Sequence, residues 1–536
     1  MSQTIPARAD VDARFTWNLA DIFPTDDAWR EEFVRVRGQL DTLRGYQGRL
    51  AEHAQTLLDF LRLGDALSLA LDRLGNYARR KSDEDIRNAV YQEMSAQFMN
   101  LAVETGEASA FETPELLAIP DDVLDGFYAA EPALEHYRLA LTRVRRQKEH
   151  TLSHEGEALL AAAGQLGQAP DDIFSMLNDA DMAFPDAVDS QGGRHPVTHG
   201  AFIPLMQSPD RTLRKSAFES LYGVYRQFRN TSAAVLSAQM KQLQFFANAR
   251  HYPSALHAAL DQTEVPVDIY HNLIAAVREG LPAMHRYVKL RKKLLGVDEL
   301  HFYDLYTPIV ADQDIRVPYD EAKALALDAL APLGEQYLSM LREGFENRWI
   351  DVYENRGKRS GAYSAGAYGV HPYVLLNYTD KLDDAFTLVH EMGHSLHTYL
   401  SNKTQPVTYA NYVIFVAEVA STCNESLLMQ HLLKTTGDPR RRAYLINYFL
   451  EQFRGTLYRQ TMFAEFELWC SEQTRKGEAL TAEALSARYS ALNRDYYGED
   501  IVLDPEIALE WARIPHFYYD FYVYCLLYTS PSPRDP

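Results

Sequence analysis

The stretch FTLVHEMGHSLHTYL (residues 386–400) carries three histidines and one glutamate on what reads as an amphipathic helix. Asp383 and Asp384 favour its first turn, and Thr379 or Asp380 is expected to cap it. The apolar residues recur at the three- and four-residue spacing of a helix face. That face consists of Ala385, Leu388, Val389, Met392 and Leu396.

The pentapeptide His390-Glu391-Met392-Gly393-His394 has the pattern HExxH. Two histidines four residues apart project from one helix face, so both imidazoles can reach one tetrahedral Zn²⁺, and Glu391 can take a proton from water at that ion. The alternative, a core helix with incidental histidines, leaves the polar groups without a role on a half-buried surface. His397 lies too far along the helix to join the same tetrahedron, and we predict a supporting or packing role for it.

A metal site of this kind needs a third protein ligand. The sixth residue after His394, where a third histidine would extend the motif, is Leu400. The segment FVAEVASTCNESLLMQHLLK (residues 415–434) offers Glu418 and Glu425, which are seven residues apart and therefore share a helix face. One can ligate while the other orients a ligand histidine. The spacing does not decide between them.

Composition excludes several classes of protein. The 536 residues carry a formal charge of -21, which repels polyanions and argues against nucleic-acid binding. The three cysteines are far apart, as expected in a reducing compartment. The N-terminal stretch lacks an apolar export signal, and no run of about 18 apolar residues suggests a membrane span. We therefore expect a cytoplasmic protein.

Helical periodicity dominates the chain, so the fold is predicted to be mainly α. Strand signals are confined to a hairpin turning at Gly192-Gly193 and to the apolar run YVLLNYT (residues 373–379). The glycine-rich GKRSGAYSAGAYG (residues 357–369) lacks the spacing of a phosphate loop and is predicted to be a loop. His195 and His199 form HxxxH without a glutamate and are assigned to packing or the surface.

Several motifs together resemble the oligoendopeptidase F branch of the thimet-oligopeptidase-like (M3) zinc metallopeptidases. They are HEMGH, VAEVASTCNE, GKRSGAY, YVLLNYT and IPHFYYDFYVY, and the resemblance runs from TWNLADIFPTDDAW near residue 16 to about Tyr524. It implies that Glu418 is the third ligand and that Glu425 supports a ligand histidine. It also implies a large, mainly α, clam-like metallopeptidase with a deep substrate channel and a small β-sheet next to the zinc helix.

The resemblance extends to substrate-binding groups. The family keeps the donors to the tetrahedral intermediate in the stretch IPHFYYDFYVY, which makes His516 and Tyr524 the first candidates, followed by Tyr522 and Tyr519. The loop at residues 357–369 is expected to contact substrate, with a plain loop as the alternative. The strand at residues 373–379 is expected to offer a sheet edge to an extended peptide.

Three segments are predicted: an N-terminal helical domain (1–195), a catalytic domain (196–524) and a tail (525–536). The tail, CLLYTSPSPRDP, departs from the family and is expected to be non-native, on a truncated chain.

The predicted function is a zinc-dependent endopeptidase that cleaves short peptides with one Zn²⁺ per chain. A zinc carboxypeptidase of similar build is one alternative. A non-catalytic peptide-binding protein is another, if truncation inactivates the chain. Neither nucleic acid nor membrane is expected as a partner, and the oligomeric state does not follow from the sequence.

Overall fold

The computed structural model describes residues 5–310, 315–519 and 521. Helices dominate it and the strands are short, which confirms the mainly α prediction. The chain divides into two compact units, each built from two stretches. Unit 1 comprises residues 1–149 and 314–434, and unit 2 comprises residues 150–313 and 435–536. The predicted segments 1–195, 196–524 and 525–536 follow a different division and remain a prediction.

The helices of unit 1 fall into two groups along the chain. The first group is α1 (Asp26–Arg44), α2 (Ala54–Glu84), α3 (Ala89–Ser109), α4 (Glu112–Ala118), α5 (Asp121–Ala130) and α6 (Arg138–Arg146). The second group follows seven helices that belong to unit 2. It comprises α14 (Tyr319–Ala329), α15 (Glu335–Glu346), α16 (Leu382–Thr404) and α17 (Ala417–Thr435), numbered in chain order.

Close packing of α1, α2 and α3 forms part of the unit 1 core. The Thr25 hydroxyl caps α1 by accepting from the Ala28 amide. One turn later the fully buried Trp29 donates from Nε1 to the Leu74 carbonyl at 2.9 Å, which ties α1 to α2. At Gly75 a Cβ would lie 2.5 Å from the Phe98 ring, so the absence of a side chain lets α3 approach.

A three-stranded sheet completes unit 1. Its strands are β3 (Ile350–Asp351), β4 (Tyr363–Ala365) and β5 (Tyr373–Leu375), in the order β3-β5-β4, with β3 parallel and β4 antiparallel to β5. The expectation that residues 373–379 form a sheet edge is wrong, because β5 is paired on both sides and all of its residues are fully buried. The prediction of a loop over 357–369 is wrong in part, because β4 lies within it and forms the edge.

Lys358 fixes the loop between β3 and β4 through an ion pair and a hydrogen bond. Its Nζ lies 2.7 Å from an Asp351 carboxylate oxygen, and it donates to the Tyr353 carbonyl at 2.7 Å. Both members of the pair are buried, and Arg8 also contacts Asp351. Lys358 therefore serves as a structural cation beneath the sheet.

Helix α16 begins later than the sequence predicts. Its cap position is Lys381, not Thr379 or Asp380, because the Asp384 carboxylate reaches back and accepts hydrogen bonds from the Thr379 and Lys381 amides. Asp380 adopts a positive φ of 62° immediately before the helix. The predicted acidic first turn, at Asp383 and Asp384, is present.

Unit 2 is also helical. Its first stretch holds α7 (His154–Gly167), α8 (Ala169–Ser175), α9 (His199–Met206), α10 (Arg211–Ala249), α11 (Ala255–Asp261), α12 (Val267–Glu279) and α13 (Leu281–Leu295). Its second holds α18 (Pro439–Gln452), α19 (Arg459–Lys476), α20 (Ala482–Tyr497) and α21 (His516–Tyr519). The long helix α10 packs against α8, α9, α19 and α20, so it runs through the centre of this unit's core.

The hairpin predicted at Gly192-Gly193 is confirmed. Strands β1 (Ala187–Val188) and β2 (Arg194–His195) pair antiparallel across it. His195 contacts Asp189 at 2.8 Å and His199 contacts the Asn178 carbonyl at 2.9 Å, so both imidazoles have local partners. Across the described ranges 5–310, 315–519 and 521, no helix has the length and apolar character that crossing a membrane requires.

Replacing Lys358 by methionine tests the buried ion pair beneath the sheet. We expect Lys358→Met to lower the free energy of unfolding by about 3 kcal/mol, near the low end for breaking a buried pair, because Arg8 still contacts Asp351. The matched control is Arg359→Met, whose guanidinium is mostly exposed and should change stability by less than about 1 kcal/mol. Equal losses in urea denaturation would contradict a structural role specific to Lys358.

Candidate metal centre

Helices α16 and α17 bring three candidate ligands together in unit 1. His390 Nε2 lies 3.2 Å from His394 Nε2, and Glu418 Oε2 lies 3.4 Å from the first and 3.3 Å from the second. The three atoms thus form a nearly equilateral triangle. Within the described part of the chain, these residues form a group that can hold a metal ion.

Two further contacts orient this triangle. His390 donates from Nδ1 to Glu425 Oε1, which leaves Nε2 directed at the other ligand atoms. The Ser421 hydroxyl donates to Glu418 Oε2 at 2.6 Å, one helical turn after Glu418. The two glutamates that the sequence placed on one face of α17 therefore make different contacts, because only Glu418 approaches both imidazoles.

Gly393 allows the two helices to pack this closely. A Cβ at this position would lie 2.7 Å from Ser421 Cα and 2.9 Å from the Ala420 carbonyl oxygen. Those distances are far below van der Waals contact with backbone atoms, which cannot move aside as a flexible side chain can. The glycine inside the HExxH motif thus sets the distance between α16 and α17.

Asn424 joins the two helices at a second point. It is 1% exposed and donates from Nδ2 to the Val389 carbonyl at 2.9 Å, directly before His390. Its Oδ1 accepts from the Tyr337 hydroxyl of α15 at 3.1 Å. Neither residue is predicted from the sequence. A signal existed for Asn424, since it lies beside Glu425 on the buried stripe of α17, whereas nothing local marks Tyr337.

Burial and charge together shift the ionisation of this cluster. Burial raises the pKa of Glu391 above its usual range. Burial works against protonation of His390, but the hydrogen bond to Glu425 and the nearby carboxylates outweigh it and raise the pKa of His390. Burial likewise opposes ionisation of Glu418, but its contacts with His394 and His390 hold the pKa of Glu418 below its usual range.

His397 does not join the triangle. Its ring stacks on Tyr412 with 3.8 Å between centroids, as the predicted packing role requires. Edge strand β4 reaches the same helix, since the Ser364 and Ser395 hydroxyls are 2.8 Å apart and Ser395 is fully buried next to His394. The sheet edge is therefore attached to α16 beside a candidate ligand.

The predicted oxyanion donors lie in the second stretch of unit 2. His516 opens α21, and Tyr519, the last residue of that helix, is 47% exposed. Tyr522 and Tyr524 lie outside the described residues. The roles assigned to these four residues remain predictions.

Comparison with known proteins places the chain in a family. The sequence profile described as "Peptidase family M3" matches residues 204–528, and the profile described as "Oligopeptidase F" matches residues 115–184. The first match covers more than half of the chain. The chain belongs to peptidase family M3. It is accordingly a metalloendopeptidase, and a metal cofactor is implied for it.

Individual members of the M3 family agree with this assignment. Oligopeptidase PepF of Bacillus subtilis is 47% identical over 520 residues, which cover 97% of this chain and 78% of that protein. Group B oligopeptidase PepB of Streptococcus agalactiae is 41% identical over 96% of this chain and 86% of its own length. The crystal structure of oligoendopeptidase-F from Enterococcus faecium superposes with a TM-score of 0.69 at 37% identity, covering 94% of this chain and 85% of that one.

Adding one methyl group at Gly393 tests the helix contact. We expect Gly393→Ala to lower metal affinity by about 10–100-fold, as changes to groups that position metal ligands do, because Glu418 moves away from the histidines. It should also cost about 1–3 kcal/mol of stability through overpacking. Chelator competition measures the first effect and urea denaturation the second.

Gly223 provides the matched control. It lies inside α10, and a Cβ there would meet no atom within 4 Å. Gly223→Ala should leave metal affinity unchanged and stabilise the protein slightly, since alanine favours the helix by about 0.5–1 kcal/mol over glycine. Unchanged metal affinity in Gly393→Ala would contradict the role given to the glycine.

Proposed function

We propose that this M3 peptidase is a zinc-dependent endopeptidase that hydrolyses short oligopeptides, with zinc held by His390, His394 and Glu418. The triangle of ligand atoms carries the proposal. Ligands at about 2.0–2.2 Å from a tetrahedral zinc are about 3.3–3.6 Å from one another. The distances of 3.2, 3.4 and 3.3 Å in this triangle fit such an ion.

The surrounding contacts suit a catalytic site in which three protein groups bind zinc. The hydrogen bond to Glu425 places the proton of His390 on Nδ1, so that Nε2 can ligate, an arrangement common at zinc sites. Ser421 fixes the Glu418 carboxylate in the same way. Three protein ligands leave one tetrahedral position for water or substrate, which favours a catalytic over a purely structural ion.

Zinc held by these three groups would supply Lewis-acid catalysis, polarising a peptide carbonyl and lowering the pKa of water. Glu391 follows the first ligand on the same helix and accepts the proton from the attacking water. It then passes that proton to the departing amine. Burial raises the pKa of Glu391, which strengthens its carboxylate as the base that takes this proton.

Substrate binding is proposed to use the edge of β4. The backbone groups of an extended peptide can pair with residues 363–365, beside the α16 segment that carries His394. Binding through the main chain gives affinity without strong preference for sequence. The relatives named oligopeptidases support short peptides as the substrate class. His516 and a tyrosine among Tyr519, Tyr522 and Tyr524 are proposed to donate to the oxyanion.

Substituting Glu391 separates proton transfer from metal binding. We expect Glu391→Gln to keep zinc bound but to lower kcat by at least about 10²-fold, because the amide cannot accept the proton. Glu418→Gln should instead lower zinc affinity. Cleavage of a fluorogenic peptide gives kcat, and elemental analysis after dialysis gives the zinc content. Glu346→Gln, at an exposed position on α15, is the matched control and should behave like the unaltered enzyme.

Two outcomes would contradict these assignments. Turnover near the unaltered rate in Glu391→Gln would remove this residue as the base. Unchanged zinc affinity in Glu418→Gln would remove that residue as a ligand. A protein that binds zinc and peptide but cleaves none, even without substitution, would favour the non-catalytic alternative.

A peptide blocked at both ends distinguishes endopeptidase from carboxypeptidase action. We expect an acetylated and amidated octapeptide to be cut at an internal bond, because binding through the β4 edge requires no free terminus. Mass spectrometry locates the cut, and a chelator-treated sample is the control. Cleavage only of the peptide with a free carboxylate, one residue at a time, would support a carboxypeptidase.

A further inference from the structure

Unit 2 contains a small cavity among arginine side chains, which we name the arginine cavity. It has a volume of about 20 Å³. Polar residues of five helical segments and one loop line it: Arg454, Arg459, Arg513, Tyr222, Tyr306, Tyr497 and Glu510. Arg454 belongs to a π-helix (Phe453–Tyr458) and Arg513 ends a 3-10 helix (Ile507–Arg513). None of these residues belongs to the metal centre.

The first of two carboxylates near this cavity is Glu451. Arg291 Nη1 lies 2.7 Å from it, and Arg454 donates to it from both Nε and Nη2, at 2.9 and 2.7 Å. The Tyr287 hydroxyl also donates to Glu451. One carboxylate therefore serves two guanidinium groups, both of them at least 95% buried.

The second carboxylate is Glu510, which lies at the cavity wall. Arg459 Nη2 donates to it at 2.7 Å and the Tyr489 hydroxyl at 2.6 Å. Arg513 reaches it only at 3.5 Å from Nη1. Again one carboxylate faces two guanidinium groups. The two clusters together hold two carboxylates and four guanidinium groups, two of them buried and two partly buried, which is an excess of two positive charges.

Arg513 is the least satisfied of these arginines. Its Nε is buried and has no hydrogen-bond partner among the described residues, and its only ion pair there is the long contact to Glu510. Its guanidinium carbon lies 5.2 Å from the centre of the Phe202 ring, a weaker interaction than a direct ion pair. Since arginine cannot release its proton at any ordinary pH, the charge persists.

Burying a charge without a close partner of opposite sign is strongly unfavourable. A bound anion offsets that cost, and the cavity limits its size. One water needs roughly 10–15 Å³, so a cavity of about 20 Å³ suits one small inorganic ion better than a polyatomic anion such as phosphate or sulfate. Phenol hydroxyls such as those of Tyr222, Tyr306 and Tyr497 can donate to such an ion.

We propose that the arginine cavity is a binding site for one small monovalent inorganic anion of about the size of chloride. Arg454, Arg459 and Arg513 supply its charge, and the lining tyrosines supply hydroxyl donors. The ion links the start of α19 to the end of the 3-10 helix Ile507–Arg513. His516 follows three residues later, so the anion also anchors the segment that leads to this residue.

Bromide provides a direct probe, because it replaces chloride and scatters anomalously. Crystals of the full chain are soaked in sodium bromide, and data are collected at the bromine edge. We expect an anomalous peak within the cavity, in contact with Arg513 and at least one other lining arginine. Density without an anomalous signal at high bromide concentration would identify a water and overturn the proposal.

A solution experiment tests the same site without crystals. The melting temperature is measured as sodium chloride replaces sodium gluconate at constant ionic strength, since gluconate is too large for the cavity. We expect chloride to raise the melting temperature in a saturable way, as a ligand that binds only the folded state does. Arg513→Gln should lose most of that rise.

Arg229→Gln is the matched control, because this arginine of α10 is 45% exposed and lies 3.9 Å from Glu483. It should keep the full chloride response. An equal loss in both variants, or no saturation in the unaltered protein, would point to general salt effects and overturn the proposal. If Arg513→Gln does not fold, the bromide experiment on the unaltered chain decides the question.

Discussion

The close contact between α16 and α17 is the constraint on which the metal centre depends. Because Gly393 has no side chain, the backbone of α17 at Ser421 approaches α16 more closely than any other residue would allow. Glu418 lies one turn before Ser421 and Glu425 one turn after it, so the single contact brings both carboxylates to the histidines. A wider separation would leave the HExxH motif with two ligands only.

So close a polar interface is stable only if its buried groups are satisfied. An unpartnered buried donor or acceptor costs about 1–3 kcal/mol, comparable with a sizeable fraction of a protein's net stability. Asn424 bonds both to the Val389 carbonyl of α16 and to Tyr337 of α15, and Ser421 bonds to Glu418. The same hydrogen bonds that offset burial also fix the ligand atoms. These hydrogen bonds therefore both stabilise the interface and preorganise the metal site.

Local spacing was enough to predict the part of the site that lies on single helices. Residues four apart in HExxH and seven apart at Glu418 and Glu425 must share a face, and the structure places them so. Spacing could not identify Tyr337, because its contact joins helices distant in the chain. The prediction that residues 373–379 form a sheet edge was wrong for a similar reason. Strand β5 looks like an edge until its pairing with β3, more than 20 residues earlier, is known.

The metal centre and the arginine cavity carry buried charge of opposite sign. At the metal centre, Glu391, Glu418 and Glu425 are buried with two imidazoles, a set that favours a cation. Around the arginine cavity of unit 2, guanidinium groups outnumber carboxylates, a set that favours an anion. The two cases differ in one respect. A buried carboxyl can take up a proton, as the raised pKa of Glu391 indicates, whereas a buried guanidinium cannot lose one. The need for a counter-ion is therefore stricter at the arginine cavity than at the metal centre.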